Sequence, residues 1–251
     1  MEKGTVFISG ATAGIGAATA RKLAMAGYAL ILTGRREERL QQIANELAEQ
    51  TEVRVAALDV QDAQAIRALF DAHPEWLGET TVLVNNAGLA AGTDKMQDAD
   101  PADWDRMIDT NISGLLHLTR HFLPSMIAKR EGHIVNLGSV AGRQVYPGGG
   151  VYCATKFAVR ALTEGLRMDL AGTGVRVTNI SPGMVETEFS EVRMGNAVKA
   201  KAVYQGMTPL SAEDIADAIY WAIERPKHVN IQELVIYPTD QAGIGLVSRS
   251  T

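Results

Sequence analysis

The sequence predicts an α/β fold, one doubly wound parallel sheet of seven strands with helices on both faces. Two observations carry this. Short β-branched, apolar runs alternate along the chain with longer stretches of helical period. Several of the short runs, such as Val82-Leu83-Val84 and Ile134-Val135, do not alternate with polar residues. That suits strands covered on both faces, as in a parallel sheet.

Strands are expected at Thr5–Ser9, Ala29–Thr33, Arg54–Leu58, Thr81–Asn85, His133–Leu137, Val175–Ile180 and Leu234–Ile236. Between them lie helical patterns, the first over Ala17–Ala26. Glu37–Gln50 places Leu40, Ile43 and Leu47 at spacings of three and four with charges elsewhere. Asp100-Pro101 reads as an N-cap followed by proline at the first helical position. Ser211 with Asp214 resembles a capping box, one carbon short at the acid, opening a helix toward Glu224. No linker, internal repeat or low-complexity tract divides the chain, so residues 1–251 are expected to form a single domain.

Composition narrows the class. With 46% hydrophobic and 21% charged residues the chain is not disordered. A net charge of −5 gives no electrostatic footprint for nucleic acid or an anionic membrane. No apolar run approaches a membrane span, and Thr5–Ile8 is too short for a signal-peptide core. The one cysteine, Cys153, excludes an internal disulfide and favours a reducing compartment. A soluble cytoplasmic protein is expected. Glycine, at 24 residues, is over-represented, and its placement leads to the site.

The first strand runs into Ser9-Gly10-Ala11-Thr12-Ala13-Gly14-Ile15-Gly16 and then a helix. Glycines let backbone bend tightly and approach a ligand, and the unpaired N–H groups of a helix start hold a pyrophosphate. Ser9, Gly10, Thr12, Gly14, Ile15 and Gly16 are therefore candidates for a dinucleotide cradle. The second strand decides the ribose. A carboxylate about twenty residues on would bind a free 2′-hydroxyl, whereas arginine accepts a 2′-phosphate. Here the strand ends Thr33-Gly34-Arg35-Arg36, with Arg36 twenty residues after Gly16 and no carboxylate at the strand end. Arg35 and Arg36 thus predict NADP(H), because guanidinium groups match phosphate geometry.

Tyr152 and Lys156, four apart in a helical segment, share a face. Ser139 ends a buried strand, Asn111 lies in a helix pattern, and the fourth strand runs into Asn85-Asn86-Ala87-Gly88. With SGATAGIG (Ser9–Gly16), LDV (Leu58–Val60), YCATK (Tyr152–Lys156) and SPGMV (Ser181–Val185), this ordered set closely resembles the short-chain dehydrogenase/reductase family. Ser9 replaces the family's usual threonine and keeps the hydroxyl.

The resemblance implies a Rossmann fold and a catalytic tetrad. Tyr152 would be the general acid/base, its phenolate favoured by the Lys156 ammonium. Lys156 would also hold the nicotinamide ribose. Ser139 would hydrogen-bond the substrate oxygen, and Asn111 would hold a water connecting Lys156 to solvent. Asp59 and Val60 would flank the adenine, Asn85, Ala87 and Gly88 the ribose side, and Pro182, Gly183, Val185 and Thr187 the nicotinamide. Helices around Asn111 and Tyr152 would pack against partner subunits in a homotetramer.

For the substrate, the stretch Thr187–Arg193 resembles the branch of this family that oxidises short 3-hydroxy acids, including serine, or reduces malonic semialdehyde or sulfoacetaldehyde. GRREERL (Gly34–Leu40) and DWDRMIDTN (Asp103–Asn111) resemble that branch too. A small substrate segment is expected at about residues 184–210. Arg193 is the expected anchor for an anionic hydroxy acid or aldehyde, through two hydrogen bonds from one guanidinium. The bland alternative is a surface arginine in a mobile loop. Met184, Gln144 and Tyr146 are further pocket candidates. Gly148-Gly149-Gly150 either opens the pocket to larger aldehydes or only shapes the turn into the next helix. A different class, an NADPH-binding sensor without turnover, has no need of the tetrad. His117 and His121 share a helix face but no third metal ligand is evident, so no metal is expected. Cys153 is expected to be a small buried hydrophobe.

Overall fold

The computed structural model describes residues 3–250. Its N-terminal half is β1 (Thr5–Ser9), α1 (Gly14–Met25), β2 (Ala29–Gly34), α2 (Glu37–Leu47), β3 (Val53–Ala57), α3 (Ala63–Ala72), α4 (Pro74–Gly78) and β4 (Thr80–Asn85). Then come α5 (Pro101–Ile108), α6 (Leu115–Lys129), β5 (Gly132–Leu137), α7 (Gly150–Asp169) and β6 (Val175–Pro182). The chain closes with α8 (Glu188–Met194), α9 (Ala197–Val203), α10 (Ala212–Ile223), β7 (Glu233–Ile236) and a hairpin of β8 (Gln241–Gly243) and β9 (Leu246–Val247).

The seven main strands form one parallel sheet in the order β3-β2-β1-β4-β5-β6-β7, the Rossmann arrangement expected. Period-two side chains divide its core. Val6, Ile8, Leu30, Leu32, Val82 and Val84 face α1, α2 and α10, whose Leu23, Leu40, Ile43 and Ile219 cover them. Phe7, Ile31, Leu83 and Ile134 face the other way, onto Ile66 of α3, Leu118, Phe122 and Met126 of α6, and Leu77 of α4. Burial on both faces is why these strands carry no polar alternation.

Local signals act as expected at two helix starts. Asp100 accepts from the Ala102 N–H at 2.9 Å, and Ser211 and Asp214 form the full reciprocal capping box. Several elements were not placed by the sequence, among them α3, α4 and α9 and two of irregular kind. Asp109–Gly114, between α5 and α6, is a π-helical turn rather than ordinary helix, with Gly114 pressed against Val60. The β8–β9 hairpin follows β7 and lies outside the main sheet.

β1 pairs with both β2 and β4, so strand order reverses there. At such a reversal the loops leaving the two strands diverge and open a crevice beyond their C-terminal ends. The loops after β1, β4, β5 and β6 all rise on that edge.

Candidate active site

The crevice at this edge has a volume of about 570 Å³. Its floor is the loop between β1 and α1. Gly10 (φ +69°) makes a tight turn, and a Cβ on Gly16 would stand 2.4 Å from the Gly10 carbonyl oxygen. Both positions therefore exclude side chains. Thr12, Gly14 and Ile15 line the crevice with Gly10, while Gly16 packs beneath them at the helix start. The result is a backbone-walled cradle ending at the start of α1, which suits an anionic pyrophosphate.

At one end stand the two predicted arginines, both exposed. Arg36 donates to Thr12 Oγ1 from Nε (3.2 Å) and Nη2 (2.9 Å). Arg35 lies 4.0 Å from Asp59, which itself accepts from the Gln61 N–H. Asp59, Val60, Ala87 and Gly88 line the same stretch of wall.

At the other end lie Ser139, Tyr152 and Lys156. Ser139 leaves β5 and caps a 3₁₀ turn (Val140–Gly142) by accepting from the Ala141 N–H at 3.1 Å. Tyr152 and Lys156 sit one turn apart on α7. Lys156 is 6% exposed and donates from Nζ to the Leu137 carbonyl at 2.7 Å. Burial lowers its pKa from 10.5 to about 8. Burial also pushes the Tyr152 phenol well up, with the Ser139 hydroxyl and Arg193 pulling the other way. So the phenol holds its proton at neutral pH.

Tyr152 has a second cation beside it, one that the sequence assigns only to the substrate. The Lys156 Nζ and the Arg193 guanidinium carbon each stand 5.9 Å from the Tyr152 ring centroid. Arg193 thus joins Lys156 as a second cation beside the phenol. Lys156 is turned toward the Leu137 carbonyl. Arg193 is half-buried, donates to the Gly92 carbonyl at 3.3 Å, and lies 5.2 Å from the Tyr146 ring centroid. It is an integral wall of the crevice rather than a loose surface arginine.

Asn111 stands behind this group in the π-helical turn. Its amide donates to the Leu89 carbonyl (2.8 Å) and to Thr155 Oγ1 (3.0 Å), and its oxygen accepts from the Leu89 N–H (2.9 Å). Thr155 in turn donates to the Tyr152 carbonyl at 2.8 Å. Asn111 is thereby clamped between the chain after β4 and helix α7.

A glycine loop, a paired tyrosine and lysine, and a serine from the neighbouring strand thus share one crevice. Residues 4–196 match the family described as short chain dehydrogenase. The chain belongs to the short chain dehydrogenase family. It is 52% identical over 239 residues to sulfoacetaldehyde reductase 2 of Chromohalobacter salexigens, covering 94% of this chain and 95% of that protein. It is 47% identical over 248 residues to the NADP-dependent 3-hydroxy acid dehydrogenase YdfG of Salmonella typhi, covering 98% and 99%. Among solved structures it superimposes with a TM-score of 0.92 on the closed form of a serine dehydrogenase complexed with NADP+, at 44% identity, covering 98% and 100%.

Within this family frame, some expected residues lie off the crevice. Ser9 is buried, its hydroxyl accepting from the N–H groups of Asn86 and Ala87 and so tying β1 to β4. Asn85 points into the core, donating to Thr119 and Asn136. Gln144 is exposed and accepts from the Ile244 N–H of the hairpin. These side chains act on the frame of the site and not on its lining.

Pro182, Gly183, Met184, Val185, Thr187 and Tyr146 do line the crevice. The chain leaves the sheet edge at Met184 and returns at Leu210, where Glu186 N–H to Leu210 O (2.9 Å) and Leu210 N–H to Met184 O (2.9 Å) close the loop. α8 and α9 lie within it. Gly148 has φ +72° with its Cβ position 2.2 Å from the Thr93 carbonyl oxygen, and a Cβ on Gly149 would strike the Tyr146 ring at 2.2 Å. Gly148 and Gly149 therefore shape the entry to α7 and let Tyr146 approach it closely.

Sequence reasoning missed several residues of the wall. Phe189 packs on Tyr152 at 5.8 Å between centroids, and the Tyr204 hydroxyl donates to the Val185 carbonyl at 2.7 Å. Gln241, 4% exposed, accepts from the Met184 N–H at 2.8 Å. Phe189 lies inside the stretch Thr187–Arg193 already singled out, though without a role of its own. Tyr204 and Gln241 act across 19 and 57 residues, distances at which a single sequence carries no signal.

Proposed function

We propose that this chain is an NADP(H)-dependent oxidoreductase interconverting an alcohol and its carbonyl on a short anionic 3-hydroxy acid, of the serine or 3-hydroxypropionate type, or the matching semialdehyde. The observation that carries the substrate class is Arg193 beside the Tyr152 ring. A fixed guanidinium within reach of the reacting centre selects a small substrate bearing an oxyanion. The names of the relatives, a 3-hydroxy acid dehydrogenase and a serine dehydrogenase bound to NADP+, support it.

The cradle fits the cofactor, with side chains excluded at Gly10 and Gly16 and two arginines at the ribose end. Bound there, the nicotinamide would supply or accept the hydride. The chain's own residues manage the proton. In the reducing direction Tyr152 Oη gives its proton to the carbonyl oxygen, which Ser139 Oγ steadies by hydrogen bond. In oxidation Tyr152 takes the proton back, with the neighbouring Lys156 ammonium favouring the phenolate. Asn111 has both amide hydrogens engaged, so its remaining acceptor capacity is what would hold a relay water to Lys156. Gly183, Val185 and Thr187 would border the nicotinamide, and residues 184–210 would form the substrate segment of the single domain.

A second reading has its own support, the 52% identity to a sulfoacetaldehyde reductase. Sulfonate and carboxylate both suit a guanidinium, so Arg193 serves either. A panel assay following NADPH absorbance separates them. Serine, 3-hydroxypropionate and 3-hydroxyisobutyrate should outrun isethionate and neutral alcohols. Preference for isethionate would favour the second reading, and preference for neutral substrates would overturn both.

Among the described residues no helix is long and apolar enough to cross a membrane. A cytoplasmic homotetramer is the assembly we propose. Its support is the exposure of Leu116 on α6 (42%) and Phe157 on α7 (39%), apolar side chains on the helices expected to meet partners.

A further inference from the structure

The cofactor end of the crevice contains a carboxylate whose arginine partners the sequence did not signal. Glu188, the first residue of α8, accepts from Arg36 Nη1 through Oε2 at 2.9 Å and from Arg39 Nη1 through Oε1 at 2.6 Å. One oxygen on each of two guanidinium groups is the arrangement a phosphate would adopt between the same arginines. The two hydrogen bonds hold the Glu188 carboxyl below its ordinary range.

Glu188 is also tied to the substrate side. The preceding Thr187 rests on Gly14 of the glycine loop, its Cβ 3.2 Å from where a Gly14 Cβ would stand. The following Phe189 packs on Tyr152, and Arg193 lies on the same helix. The Glu188 carboxylate is therefore the contact by which α8 grips the arginines at the ribose end.

We propose that Glu188 is a specificity-determining residue for the cofactor. Its carboxylate competes with the 2′-phosphate of NADP(H) for Arg36 and Arg39, so phosphate binding exchanges against release of the first turn of α8. Two anions sharing one pair of guanidinium groups repel each other, and the exchange weakens NADP(H) relative to what the two arginines alone would give. A cofactor without the 2′-phosphate makes no such exchange. This inference rests on the NADP(H) reading above.

The test needs no turnover. NADPH and NADH are titrated by fluorescence into wild type, Glu188→Gln and Glu191→Gln. The last variant makes the same charge change one turn along α8 and is the control. Circular dichroism checks that each variant is folded. Glu188→Gln should tighten NADPH by about three- to tenfold, the scale of an exposed ion-pair network. It should leave NADH unchanged, and Glu191→Gln should move neither. NADPH affinity that is unchanged or weakened in Glu188→Gln, or an equal gain for NADH, overturns the proposal. Equal binding of NADPH and NADH by the wild type would instead overturn the cofactor reading itself.

Discussion

The two walls of the crevice are built differently. One wall is made of strand ends and the helices that follow them: the glycine loop, Ser139, and the Tyr152–Lys156 pair. Its members are fixed by sheet hydrogen bonds and by burial on two faces. Lys156 is pinned to Leu137 O and Asn111 to Leu89 and Thr155. The other wall is α8, α9 and the β8–β9 hairpin, fastened by a few side chains: Gln241 to Met184, Tyr204 to Val185, Glu188 to two arginines and Arg193 to Gly92. The contrast separates tasks. Proton transfer needs atoms held within fractions of an ångström, whereas a wall that admits and encloses a substrate must be able to shift.

The largest effect should come from the fixed wall. Tyr152→Phe removes one hydroxyl from a side chain whose ring stays packed on Phe189. Turnover should fall by about 10³-fold, in the range of a lost general acid/base, while NADPH binding and melting temperature stay near wild type. A variant that loses cofactor binding as well would show that Tyr152 supports the wall and does not only act from it.

Lys156 tests how dry that wall is. Burial lowers its pKa from 10.5 to about 8, so between those values the unfolded chain carries a proton the native state lacks. Stability attributable to Lys156 should therefore rise with pH across that window, and the full penalty should be felt below it. At about 1.4 kcal/mol per pKa unit the gain over Lys156→Met approaches about 3 kcal/mol. Melting curves of cofactor-free wild type and Lys156→Met from pH 7 to 10.5 measure it. A difference that stays flat with pH would mean the ammonium is well solvated.

A smaller effect is expected from the fastened wall. Gln241→Ala leaves the Met184 N–H without its partner, at a local cost of about 1–2 kcal/mol. Because that wall encloses substrate, KM should rise by about tenfold at that energy, with kcat little changed. A fall in kcat with KM unchanged would place Gln241 in support of the fixed wall instead.

Legibility in the sequence follows the same division. The inner strands were readable because burial on both faces leaves apolar runs, and Gly10, Ser139 and Gly183 were readable because they follow strand ends. Strand position did not say which way a side chain turns. Ser9 and Asn85 face inward to knit β1, β4 and β5, so they left the lining. The π-helical turn at Asn111 was unreadable because helix and π-turn share composition, and the close approach of Gly114 to Val60 is made across the fold. The hairpin has strands of three and two residues, too short for any period. Glu188 and Arg39 lay in two stretches read only as branch resemblances, and it is the fold that sets them face to face across 149 residues.

The central claim is that Arg193 carries the anion while the fixed wall carries the chemistry. The most direct measurement is kcat/KM of wild type and Arg193→Ala with 3-hydroxypropionate and with the neutral propane-1,3-diol. A lost charge-assisted pair is worth about 1.5–3 kcal/mol, or roughly ten- to a hundredfold. The loss is expected with the acid, and a change of no more than about threefold with the diol. Equal losses on both substrates would contradict the account.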